Sequence, residues 1–178
     1  VLLLAAGLFT GICTPQGHSS TRHPHVQAVK ALLAVPEHQV DFAKAKVGID
    51  KLIDPSIDVD ATLRRLDDMA AEVRAMTPPY ANSYQKAEVL RAYLYEPGAW
   101  NQWMPFQYDL ADQNGHIPNK LLANYLRTRK GNCISMPLLF AILAQKLSIP
   151  ITTATAPSHL YLMFRADNGA WFGVEATN

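Results

Sequence analysis

The chain has 178 residues, of which 49% are hydrophobic and 17% are charged, and its 16 basic and 15 acidic residues leave a net charge of +1. This composition excludes an intrinsically disordered chain, and the charge balance gives no general electrostatic reason to bind nucleic acid or an anionic membrane. Two cysteines are too few for a disulfide framework or for a zinc site built from cysteines alone.

The first segment of the chain is apolar. It reads VLLLAAGLFTGIC over residues 1–13, which is too short to cross a bilayer at about 20 residues but has the length of a signal-peptide core. We therefore expect residues 1–25 to form a signal peptide and linker, and the protein to be exported to the periplasm or secreted. A lipoprotein anchored through Cys13 is the alternative, although Ile12 fits lipoprotein processing poorly. Membrane contact is expected only through this segment.

Residues 26–98 predict a helical N-terminal region. The clearest helix has apolar residues at spacings of three and four, can be capped by Asp58 or Asp60, and presents a polar face that we expect to be solvated. Helical patterns occupy residues 26–33, 40–53, 58–76 and 83–94.

Residues 99–178 predict an α+β core. An aromatic loop at residues 100–109, read as core anchoring or as the wall of a cleft, and a short helix at 119–128 come first. The hydrophobic pattern then changes from that of an apolar helix to that of strands, two of which are joined by an Asp-Asn-Gly hairpin turn. Helices followed by an antiparallel meander are typical of an α+β fold. The helix is predicted at residues 133–147 and the strands at 151–156, 159–166 and 170–176.

Cys133 stands at the start of the apolar helix. Pro137 is tolerated only in a first helical turn, so the helix must begin close to Cys133. The positive end of the helix dipole favours a thiolate there, and Arg129 and Lys130 add positive charge. A thiolate is the nucleophile of cysteine hydrolases and acyltransferases. The alternative for Cys133 is a buried small hydrophobic residue.

A thiolate nucleophile needs a general base and an acceptor that orients it. His159 begins one predicted strand and Glu175 lies at the end of its antiparallel partner, so the two residues are expected side by side. The sequence thus predicts a papain-like arrangement of Cys133, His159 and Glu175. A histidine bound to a backbone carbonyl and a surface glutamate are the alternatives for the last two. No residue set has convincing spacing for a metal, and we expect no cofactor.

These motifs resemble the transglutaminase-like superfamily, which has a papain-like cysteine fold. The stretch RKGNCIS at residues 129–135, the leucine-rich helix after it, the PSH ending at His159 and the closing acidic residue are most similar to the bacterial SirB1-type branch. The similarity extends over roughly residues 40–178. It implies a catalytic triad of Cys133, His159 and Glu175, although the third member is usually aspartate and many members of the branch lack the cysteine. It also implies further strands beyond this sequence, so we expect the C-terminus to be cut short.

An oxyanion hole in this arrangement needs the Cys133 N–H and one further donor, which relatives take from upstream of the nucleophile. Gln107 and Trp103 are the candidates, and Asn101 is also chemically able. The expected activity is acyl transfer through a thioester on an amide or isopeptide of a peptide, a peptidoglycan stem or a protein, with hydrolysis favoured over cross-linking because water is always available. The alternative is a catalytically inactive interaction domain with the same fold.

Overall fold

The computed structural model describes residues 24–112 and 114–177. The predicted signal peptide lies outside them, and the predicted linker does too except for Pro24 and His25, which begin the first helix. No helix among the described residues is long and apolar enough to span a membrane. The helices are α1 (Pro24–Leu33), α2 (Phe42–Ile53), α3 (Val59–Met76), α4 (Ser83–Tyr95), α5 (Ile117–Lys120), α6 (Leu122–Thr128) and α7 (Ser135–Lys146). The strands are β1 (Gln107–Tyr108), β2 (Lys130–Gly131), β3 (Ile151–Ala156), β4 (His159–Arg165) and β5 (Trp171–Val174).

The long helices begin where the sequence places a capping side chain. The Asp58 carboxylate accepts the Ala61 N–H at 2.9 Å at the start of α3. Asn82 and Gln85 form a reciprocal capping box at the start of α4. These side chains satisfy N–H groups that have no partner inside the helix, which is why the predicted starts are confirmed to within a residue or two.

The single helix predicted over residues 119–128 is wrong, because it is two short helices that break at Leu121. Contacts from α2 make the break. The Asp50 carboxylate accepts the Leu122 N–H at 2.7 Å, and the Lys46 ammonium donates to the Lys120 carbonyl at 2.8 Å. Lys46 and Asp50 also form a buried ion pair with each other. A local sequence pattern cannot predict such tertiary contacts.

The polar face of α3, which the sequence predicts to be solvated, is partly used to hold α7. Arg74 donates to the Lys146 carbonyl at 2.7 Å, and the Lys146 ammonium lies 2.6 Å from the Asp67 carboxylate. The bond from Arg74 gives a partner to one of the carbonyls that lack an intrahelical partner at the C-terminal end of α7. The two helices are therefore tied together at their surface as well as through their apolar faces.

The strands form two sheets. β3, β4 and β5 are an antiparallel meander, as predicted, and the turn between β4 and β5 has Gly169 at φ +85°. The register pairs Ala156 with His159 and Leu162 with Val174. The second sheet is the short parallel pair β1–β2, which the sequence does not predict. It places the chain after the aromatic loop directly beside the segment that leads to Cys133.

The core is organised around α7, the most apolar of the described helices. Its side chains from Met136 to Ala144 are almost all fully buried. α2, α3, α4 and α6 pack against it on one side, and β3 and β4 pack on the other. The fold is therefore of the predicted α+β class. Buried residues on both sides of residue 98, such as Leu90 and Leu122, belong to one cluster.

Candidate active site

A capping box sets the backbone around Cys133. The Asn132 side-chain oxygen accepts the N–H groups of Ile134 at 3.0 Å and Ser135 at 3.3 Å, and the Ser135 hydroxyl accepts the Asn132 N–H at 3.0 Å. The Met136 N–H donates to the Asn132 carbonyl at 3.1 Å, which is already a helical bond. Asn132 is thus the effective cap, three residues ahead of Ser135, where the regular helix begins. Cys133 consequently lies in the first turn.

The Cys133 N–H is left available by this cap. Its neighbours Ile134 and Ser135 donate to Asn132, whereas the Cys133 N–H has no hydrogen-bond partner in the described parts of the chain. The thiol itself is partly exposed, and within the described residues it forms no disulfide. A free N–H beside a sulfur at the positive end of a helix is the arrangement that stabilises an oxyanion formed by attack of that sulfur.

Gly131 is required by the packing beneath the cap. A Cβ at this position would lie 2.6 Å from the Ser135 hydroxyl and 2.6 Å from the Tyr125 ring, and both of those side chains are fully buried. The Ser135 hydroxyl is itself fixed, because it also donates to the Asn119 carbonyl at 2.7 Å. In the Gly-Asn-Cys sequence, the glycine therefore allows the backbone to approach the Ser135 and Tyr125 side chains closely, and the asparagine caps the helix.

His159 and Glu175 are brought together at the open end of the three-stranded sheet. The His159 Nε2 lies 2.8 Å from the Glu175 Oε2. Glu175 follows the last residue of β5, and continuing the register places it opposite Tyr161, two residues along β4 from His159. Residues two apart on a strand share a face, so a glutamate side chain can reach the histidine diagonally.

Thr177 fixes the second carboxylate oxygen of Glu175, and the sequence analysis missed this role. Its N–H donates to Oε1 at 3.0 Å and its hydroxyl donates to the same atom. Burial raises the pKa of Glu175, but the hydrogen bonds from Thr177 and His159 outweigh it, so this pKa lies below its usual value. A threonine two residues after an acidic residue at a strand end is the signal that could have indicated this contact.

Cys133 and His159 line the same open cavity, which has a volume of about 740 Å³. No hydrogen bond joins the two side chains in the part of the chain that the structure describes. Because Glu175 occupies Nε2, the nitrogen that remains for the thiol is Nδ1. Tyr108, Asp112, Asn114, Gly115, Lys120, Asn132, Ile134, Thr155, Ala156, Ser158 and Leu160 complete the wall.

The upstream oxyanion candidates are not brought to this cavity. Gln107 and Trp103 are exposed and do not line it, whereas Tyr108, the next residue of β1, does. Successive side chains of a strand point to opposite faces, so Gln107 and Tyr108 cannot both face the cavity. Asn101 is buried and uses its amide to bond the Gly98 N–H and the Glu96 carbonyl.

Arg129, which is expected to add positive charge near the thiol, does not itself line the cavity. Its guanidinium donates to the carbonyl oxygens of Asn101 and Met104 and lies over the Phe106 ring at 5.8 Å. It therefore holds the aromatic loop in place. Lys130 is exposed and does not line the cavity.

The comparison with known families agrees with the α+β fold. The model of the transglutaminase-like superfamily matches residues 60–178, about two thirds of the chain. The chain therefore belongs to the transglutaminase-like superfamily. The match covers most of α3 and every element after it. No curated protein and no solved structure gives a significant match to the chain.

Proposed function

We propose that this protein is a cysteine acyl-transfer enzyme that cleaves an amide or isopeptide bond through a thioester, with Cys133 as nucleophile, His159 as acid and base, and Glu175 as the residue that orients His159. One observation carries the proposal. Cys133 and His159 line one cavity, and the His159 Nε2 lies 2.8 Å from the Glu175 carboxylate. A cysteine triad consists of a nucleophile, a general base and an acceptor that orients the base.

The reaction follows from these positions. The Cys133 thiolate attacks the carbonyl carbon, and the new C–S bond places a negative charge on the oxygen, which the Cys133 N–H stabilises. When the C–N bond breaks, protonated His159 gives its proton to the departing amine. Neutral His159 then takes a proton from water as the water attacks the thioester. The acid leaves, and the proton on His159 and the thiolate restore the starting pair.

The finer assignments rest on sequence features. The RKGNCIS stretch supports the SirB1-type branch of the superfamily, and the apolar run at residues 1–13 supports export. Hydrolysis is favoured over cross-linking because the cavity is open to water and no separate site for an amine substrate is evident among the described residues.

Alkylation kinetics test the proposal. Cys13→Ala leaves Cys133 as the only cysteine, so the rate constant with iodoacetamide can be measured from pH 5 to pH 9 without a competing thiol. We expect labelling near neutral pH to exceed that of a free thiol, to slow in Cys13→Ala/His159→Ala, and to persist in Cys13→Ala/Glu175→Gln. The Glu175 variant should instead turn over p-nitrophenyl acetate more slowly, because only the orientation of the base is disturbed.

The alternative is a domain that keeps the fold without catalysis. The observation in its favour is that Cys133 and His159 share a cavity without a hydrogen bond between them in the described residues. It predicts that Cys133 reacts at the rate of a free thiol and that His159→Ala changes nothing. That result would refute the enzyme proposal.

A further inference from the structure

One imidazole, one carboxylate and one ammonium line the cavity of Cys133 among the described residues, namely those of His159, Asp112 and Lys120. His159 is paired with Glu175, so together they carry little net charge when the histidine is protonated. Thr155, Ala156 and Leu160, which flank His159 in the hairpin of β3 and β4, add no charge to the lining. Asp112 and Lys120 therefore decide the charge that a substrate meets.

Asp112 lines the cavity, but both of its carboxylate oxygens are bound by protein groups. Its side chain is only 2% exposed. One carboxylate oxygen accepts the His116 N–H at 2.9 Å and lies 2.7 Å from His116 Nδ1, and the other accepts the Asn119 amide at 2.8 Å. The backbone hydrogen bond from His116 is the main reason that the pKa of Asp112 lies below its usual value. This carboxylate organises the loop instead of facing a ligand.

Lys120 has the opposite character. Its ammonium makes no ion pair and no hydrogen bond within the described residues. Its Cε and Nζ lie 3.8 Å from the position that a Cβ on Gly115 would occupy, so the chain runs along that glycine in the cavity wall. Its backbone is fixed, because the Lys120 carbonyl accepts from the buried Lys46 ammonium. Within the described residues, the cavity of Cys133 therefore contains a lysine ammonium without a partner, and the backbone of that lysine is anchored.

We infer that Lys120 selects substrates that carry a carboxylate beside the amide to be cleaved. This inference rests on the proposed function. An ammonium that lines a cavity and has no protein partner attracts an anionic substrate group, and this Coulomb attraction is absent for a neutral amide. Lys120 is accordingly a specificity residue, and the substrate class is an amide or isopeptide with an adjacent free carboxylate.

Two alkylating reagents of nearly the same size test this directly. Iodoacetate carries a carboxylate next to the reacting carbon, whereas iodoacetamide carries a neutral amide. In a Cys13→Ala background, we expect Lys120→Met to lower the ratio of the iodoacetate to the iodoacetamide rate constant about three- to tenfold. Lys120→Arg should keep the ratio within about twofold, because it restores the charge. Lys44→Met is the matched control, since Lys44 is 75% exposed on α2 and outside the cavity.

The outcomes separate this inference from the proposed function. If iodoacetamide labelling depends on His159 but Lys120→Met leaves the ratio unchanged, Lys120 is a solvated surface lysine and only the inference is wrong. If Lys44→Met lowers the ratio as much as Lys120→Met, the effect reflects net charge and the inference is again wrong. If labelling is that of a free thiol in every variant, the proposed function itself fails.

Discussion

The capping box beneath Cys133 leads to a prediction for Ser135→Ala. The Ser135 side chain is fully buried, and its hydroxyl accepts the Asn132 N–H at 3.0 Å while donating to the Asn119 carbonyl at 2.7 Å. Alanine removes the partner of both backbone groups without leaving room for water. Leaving a buried donor unpaired costs about 1–3 kcal/mol, and the lost bond to the carbonyl adds about 0.5–1.5 kcal/mol.

We therefore expect Ser135→Ala to lower the free energy of unfolding by about 2–4 kcal/mol, a large part of the roughly 5–15 kcal/mol available to a domain. Urea denaturation followed by far-UV circular dichroism measures this loss as a lower midpoint with an unchanged slope. Ser83→Ala is the matched control. Ser83 also begins a helix, but its side chain makes no hydrogen bond in the described residues, so its effect should stay within about 0.5 kcal/mol.

Ser135→Ala should also change the reactivity of Cys133. Without the Ser135 hydroxyl, the Asn132 N–H is free to move and the first turn around Cys133 loosens. Iodoacetamide labelling of folded Ser135→Ala should then be slower at neutral pH than in the parent chain. A stability change below about 0.5 kcal/mol, together with unchanged labelling, would refute the view that this box sets the geometry of Cys133.

Three further predictions concern the supports of the site. Gly131→Ala places a methyl group 2.6 Å from the buried Tyr125 ring and should destabilise the protein by about 1–3 kcal/mol in the same urea assay. Lys46→Met leaves the buried Asp50 without its cation and should cost about 3–5 kcal/mol, seen as a lower thermal midpoint; an unchanged midpoint would contradict this. The pKa of Glu175 is lowered in the folded state, so its stabilisation is present above pH 4.5 and disappears as pH falls through the folded value. The difference in the free energy of unfolding between the parent chain and Glu175→Gln should therefore shrink as the pH falls from 6 to 3. A constant difference would argue against the hydrogen bonds that Glu175 accepts from Thr177 and His159.

The sequence predicts well those elements of the fold in which a periodic hydrophobic pattern continues over many residues or a local capping residue is present. α3 is specified by apolar spacing and by Asp58, and the hairpin of β4 and β5 by alternation and by Gly169. The elements that it misses depend on distant partners. β1 and β2 are two residues each, too short to have a period, and they exist only because they pair with one another. The break between α5 and α6 depends on Asp50, more than 60 residues earlier.

The same division applies to the site. Cys133, His159 and Glu175 are predictable because Pro137 marks a helix start and a hairpin register relates two strand ends. The geometric relation of His159 to Glu175 follows from that register, whereas the catalytic roles remain predictions. The side chain that holds Glu175, Thr177, was not predicted, because a polar residue after a strand is usually solvated.

The wall of the cavity depends on a helix that the family match does not include. The match begins at residue 60, whereas Lys46 and Asp50 lie on α2. Through the Lys120 carbonyl and the Leu122 N–H, this ion pair fixes the end of α5 and the start of α6. Lys120 lines the cavity of Cys133, so the backbone from which its ammonium extends is held from outside the matched region. Chains that share the matched region but differ at residues 46 and 50 are therefore expected to differ in this wall while keeping the nucleophile, its cap and its base.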